Sequence, residues 1–135
     1  MGKKRKIKVI ATPVMPDMHV SLYHSRNKLQ RDLRSRGIEQ GLSTGCDAQT
    51  FTLDVDGTDI AFVLLDPCDR PLWEQLALLA HEATHVAVRY FEGIGEEEPG
   101  NEELAYAVQG AAGCLFDMHL EWLEKQKGKK NEEKQ

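Results

Sequence analysis

The residues best suited to chemistry form one short run, His81-Glu82-Ala83-Thr84-His85. On a helix, imidazoles four residues apart lie on one face, a turn apart, so both reach a single metal ion. Zinc suits such a pair, because it accepts imidazole nitrogen and carboxylate oxygen at about 2.0–2.2 Å. Glu82 is displaced around the helix from both histidines, so it misses the ion and faces water held there. That arrangement sets a general base beside a metal-activated nucleophile. Leu78, Leu79, Ala80, Val86, Ala87 and Val88 flank the run, and polar groups set into an apolar surface are costly unless a partner satisfies them. The competing reading is a pair of core histidines hydrogen-bonded to their neighbours.

Two histidines leave a catalytic zinc site one protein ligand short, with a further position kept for water. A metzincin-type continuation is excluded, because Val88 and Phe91 stand where a glycine and a third histidine belong. Downstream, the chain reads Asn101-Glu102-Glu103-Leu104-Ala105-Tyr106. With this second motif it resembles the gluzincin class of zinc metallopeptidases, whose third ligand is the glutamate of an Asn-Glu-x-x-Ser/Ala stretch on the following helix. It is most similar to their small, single-domain, phage- and prophage-type relatives, in which Glu-x-x-Ala-Tyr closely follows the zinc-binding helix. The resemblance covers residues 51–122 and implies a minimal zincin-like domain. It also implies one Zn2+ per chain on His81, His85 and Glu102, with Glu82 as catalytic base. Larger gluzincins carry an aspartate four residues after the ligand, holding a zinc-bound imidazole. Tyr106 occupies that place here, which leaves it open whether it orients His81 or His85 or polarises a substrate carbonyl.

Geometry weighs the rivals of Glu102. Glu103 points about 100° further around the helix, toward solvent, and Glu96, Glu97 and Glu98 would have to fold back from a loop. His119 lies about 25 Å beyond Glu102 along a straight helix, so the two cannot share an ion. Without a metal, Glu102 is a first-turn carboxylate complementing the helix dipole. His19 and His24 read as surface residues, Trp73 and Trp122 as helix-packing anchors, and Arg89 as an exposed arginine one turn past His85.

The elements that must position these groups are legible from changes in apolar period. Ile7, Val9 and Ala11 alternate with polar neighbours, predicting a strand that ends at Pro13. A second strand is expected over 19–24, with helix as the alternative. Ser25 then caps a short basic helix that stops at Gly37. Residues 51–66 read as a hairpin turning at Asp56-Gly57, its second strand the more buried. Residues 72–91 form a helix without Pro or Gly, and residues 61–65 leading toward it are the segment that the resemblance pairs with extended substrate. Asn101 caps a last helix that runs to about Glu124. Gly110 and Gly113 are costly inside it unless another backbone, expected to be the preceding helix, comes close. The class is α+β, with a short antiparallel or mixed sheet followed by two packed helices.

The 135 residues fit one domain. It is expected over 7–124, between disordered charged tails at 1–6 and 125–135. The formal net charge of −5 speaks against nucleic acid as partner, although Lys3, Lys4, Arg5 and Lys6 are consecutive. No apolar run is long enough for a membrane span, and no secretory signal or myristoylation pattern stands at the N-terminus. Cys46, Cys68 and Cys114 show no CxxC spacing and read as reduced thiols of a cytoplasmic protein, in a host cell if the chain is phage-encoded. The expected function is zinc-dependent hydrolysis of a peptide or amide carbonyl, with a peptide or protein as substrate. The alternative is a zinc-stabilised regulatory module without turnover, of phage or prophage origin. The sequence leaves the oligomeric state open.

Overall fold

A computed structural model of the chain describes residues 3–43 and 48–133. The order is β1 (Ile10–Ala11), β2 (Met18–Tyr23), α1 (Arg26–Arg34), β3 (Ala48–Val55), β4 (Thr58–Leu65), α2 (Leu72–Gly93) and α3 (Asn101–Glu133). The strands form one mixed sheet in the order β1-β2-β4-β3, with β2 and β4 parallel and the other two pairings antiparallel. The protein is therefore α+β.

The sheet carries helices on both faces. Val20, Ala61, Val63 and Leu65 face α2 and α3, where they meet Leu79, Ala83, Val86, Ala111 and Leu115. On the other face Phe51, Ile60, Phe62 and Leu64 meet Leu29 and Leu33 of α1. This double cover explains why residues 60–65 are apolar without alternation: every one of them is buried. The hairpin turn follows its dipeptide, with Asp56 at φ 53° and Gly57 at φ 86°. Ser25 caps α1, its Oγ accepting from the Lys28 N–H at 3.2 Å.

Several expectations are corrected. The first strand shrinks to Ile10–Ala11: residues 7–9 do not join the ladder, and at the other end the chain leaves it at Thr12. The Thr12 hydroxyl donates to the Met15 and Met18 carbonyls at 2.9 and 2.8 Å, and the loop drives Met15 into the core. Gly110 faces this same loop and not α2, but a Cβ there would make only ordinary contact, 3.5 Å from Pro13 and Val14, and one on Gly113 would meet nothing within 4 Å, so neither position is crowded enough to require glycine. The tail beginning at Lys125 is helical through Glu133, supported by pairs such as Lys125–Glu121 at 3.3 Å. At the other end Arg5 is anchored, its Nε donating to the buried Asp32 carboxylate at 2.8 Å. Cys68 is disulfide-bonded and Cys114 is a buried free thiol, so the expectation of three reduced cysteines, and its argument for a reducing compartment, does not hold. Cys46 lies outside the described residues. Among those described, no helix is long and apolar enough to cross a membrane.

Candidate metal centre

The stripe of α2 that packs on the sheet runs through Leu79, Glu82, Ala83, Val86 and Ala87. Glu82 thus occupies a position that helical periodicity assigns to the core, and it is only 5 % exposed. Its partner comes from β3, whose Phe51 and Val55 face α1 and whose Thr50 faces α2. The Thr50 hydroxyl donates to Glu82 Oε1 at 2.8 Å. The other carboxylate oxygen, Oε2, stands 3.9 Å from His81 Nε2.

One residue before and three after, His81 and His85 turn outward. Their Nε2 atoms are 3.2 Å apart, and the His81 side chain is 67 % exposed. Two ligands about 2.05 Å from a tetrahedral ion stand about 3.3 Å apart, so this spacing fits a shared zinc. One hydrogen bond between neutral imidazoles would give the same distance. The second Glu82 oxygen bears on the choice. It lies on the histidine side of the carboxylate, where a cation held by the imidazoles would complement its charge. Among the described residues, His81, Glu82 and His85 are the group whose ligand atoms gather closely enough to hold an ion, all within 4.8 Å of one another.

Glu102 is exposed in the first turn of α3 and is not part of that gathering. Glu103 and Tyr106 are also exposed, as are Glu96, Glu97 and Glu98 in the preceding loop. Arg89 reaches β3, donating from its guanidinium to the Thr50 carbonyl at 3.4 Å. Residues 61–65 belong to β4, which is hydrogen-bonded to β2 on one side and to β3 on the other. They offer no free edge for a substrate strand. β3 is the terminal strand of the sheet, and it is the strand that touches Glu82.

A second polar cluster was not anticipated. His119 of α3 is fully buried, and its Nε2 lies 2.7 Å from Gln75 Oε1. Its Nδ1 lies 2.9 Å from His24 Nε2. The Gln75 amide nitrogen donates to the Arg70 carbonyl at 2.6 Å, which leaves Oε1 as the acceptor. His119 therefore donates through Nε2, and His24 donates through Nε2 to the bare Nδ1 of His119. The His24 ring stacks on Trp122 with centroids 3.9 Å apart. Burial, and secondarily the neighbouring His119, pushes the His24 pKa down to about 3, and burial lowers that of His119. His24 is thus no plain surface residue. Trp122 meets the expectation of an anchor, whereas Trp73 is 71 % exposed and does not.

Comparison of the chain with protein-family models, curated proteins and solved structures found no match.

Proposed function

We propose that the protein is a zinc-dependent hydrolase of peptide or amide bonds, built on a minimal zincin-like arrangement. The observation that supports this most is the pairing of two outward imidazoles, 3.2 Å apart, with a buried glutamate open toward them. His81 and His85 would hold the ion, with Glu102 proposed as third ligand on the resemblance alone. When bound, zinc supplies Lewis-acid stabilisation of an oxyanion and a water of lowered pKa. Glu82 takes the proton from the attacking water and returns it to the leaving amine. Thr50 fixes the carboxylate through Oε1, so that Oε2 is the atom free to move the proton. An extended substrate adds to the open edge of β3 beside Glu82. Tyr106, on the second turn of α3, is proposed to assist at the substrate carbonyl.

Metal analysis of the purified chain tests the reading. One zinc per chain is expected, lost on chelation and in the His81→Ala and His85→Ala variants. Chelation should also lower the melting temperature, because a ligand that binds only the folded state stabilises it. A stoichiometry near zero in metal-replete protein would overturn the proposal. Glu102→Ala should weaken zinc binding more than Glu103→Ala, as measured by competition with a chromogenic chelator. Equal effects would remove Glu102 from the ligand set and leave His81 and His85 in it.

A second reading, a zinc-stabilised interaction module, is favoured by the exposure of His81 and His85, which lie on an open surface rather than in a cleft. It shares the metal and lacks the turnover.

A further inference from the structure

One concavity shares no side chain with the His81/Glu82/His85 cluster. It is a groove of about 640 Å3 between the N-terminal segment, the end of β2, α1 and the last turns of α3. Lys6, Lys8, Lys28, Lys125 and Lys129 line it. The only carboxylates among the described residues of its wall are Asp32 and Glu121, and both are already engaged. Asp32 is buried against Arg5 and the Tyr23 hydroxyl, and Glu121 pairs with Lys8 and Lys125. The groove is therefore basic within a chain whose formal net charge is −5.

Its floor carries two more features. The Trp122 indole lies there with one face against the His24 imidazole, 11° from parallel, as an aromatic group among the lysines. The hydrogen-bond directions fixed by Gln75 leave His24 Nδ1 without a proton, and no described residue donates to it. A neutral acceptor, an aromatic platform and a row of ammonium groups together suit a ligand that bears phosphates, a π-face and N–H donors.

We infer that this groove binds single-stranded nucleic acid, with the lysines on phosphates, Trp122 against a base and His24 Nδ1 accepting from a base or sugar donor. A single strand is favoured over a duplex because the aromatic surface is of use only to an unpaired base. An acidic peptide would satisfy the lysines and leave the aromatic pair unused. The inference runs against the expectation from net charge, because basic groups far apart in sequence converge on one surface.

Fluorescence anisotropy of a labelled twelve-nucleotide oligo(dT) with the full chain tests this. Binding is expected at 50 mM salt, with log K falling against log salt at a slope of about −2 to −3.5, as for three to five neutralised phosphates. Lys125→Gln with Lys129→Gln should weaken it at that salt by about tenfold or more for each phosphate left without its lysine. Lys127→Gln with Lys130→Gln changes the same charge on the same helix outside the groove, and should shift affinity less than about twofold. Trp122→Leu should weaken binding about fivefold or more with an unchanged salt slope. Because that variant also disturbs the His24 stack, its fold is checked by circular dichroism, and the lysine pairs decide the matter if it fails. Absence of binding, equal effects of the two lysine pairs, tighter binding of the matching duplex, or displacement by an oligoglutamate as effective as unlabelled oligonucleotide would each overturn the inference. None of these outcomes depends on zinc or on hydrolysis.

Discussion

Replacing Glu82 with Gln is expected to lower hydrolysis of any peptide substrate by about 10²–10⁴-fold, the usual cost of losing a positioned general base. Gln keeps the length of the side chain, and its amide oxygen still accepts from the Thr50 hydroxyl that now reaches Oε1 at 2.8 Å. The buried site therefore stays satisfied, and zinc content and melting temperature should hold. What disappears is the basicity of the oxygen turned toward His81. A peptide-library digest with wild-type and variant chains of equal zinc content reads the difference. Equal cleavage by both would assign the activity to another base or to a contaminant. If zinc-loaded wild type cleaves nothing in a broad library, the module reading takes its place.

What the sequence could and could not disclose follows from the range of the interactions. The His81/His85 pair and the Glu82 offset depend on helical spacing alone, so five adjacent residues disclose them. The Ser25 cap and the Asp56-Gly57 turn are equally local, and α1 and β4 appear where their patterns place them, whereas β3 starts three residues before its pattern, at Ala48. The partner of Glu82 is not local. Thr50 is 32 residues away, and nothing in a polar residue on a strand distinguishes a core-facing hydroxyl from a solvated one. The identity of the edge strand also escapes the pattern. Residues 61–65 look like substrate-pairing backbone until β2, arriving from before α1, takes up their other side. Gly110 and Gly113 suggest a close approach in the sequence that the structure does not show: the loop after β1 stands at ordinary contact distance from the first, and nothing stands near the second. The polar run after Lys125 carries no apolar stripe, yet the helix continues to Glu133, with ion pairs a turn apart over its first residues. The Cys68 disulfide is invisible to spacing, because a pairing is fixed by the fold rather than by the interval.

His119→Leu is expected to destabilise the chain by about 2–5 kcal/mol at neutral pH, although the residue is far from the proposed metal site in sequence. Leucine fills much of the same volume, so the loss comes from polar groups rather than from a void. Gln75 Oε1 would lose its donor and the His24 Nε2–H its acceptor, and a buried group left unpaired costs about 1–3 kcal/mol. For a chain of this size that amounts to a fall in melting temperature of about 10 °C. Removing the second partner as well, with His24→Phe added, should recover part of the loss, since replacing both ends of a hydrogen bond by apolar groups is less costly than orphaning one. The pH dependence distinguishes this network from simple packing. Above the ordinary imidazole pKa of 6.5 both rings are neutral in the folded and unfolded chain, and the stabilisation is complete. As pH falls below 6.5 the unfolded chain takes up protons that the folded chain refuses. Stability is then lost, for His24 down to its folded value of about 3. Each depressed imidazole contributes a slope of up to about 1.4 kcal/mol per pH unit. A chain without His119 lacks one such group, so its deficit against wild type should shrink between pH 7 and pH 5. Denaturant melts across that range measure it, and a deficit that stays constant with pH would show that His119 is not held neutral by the fold.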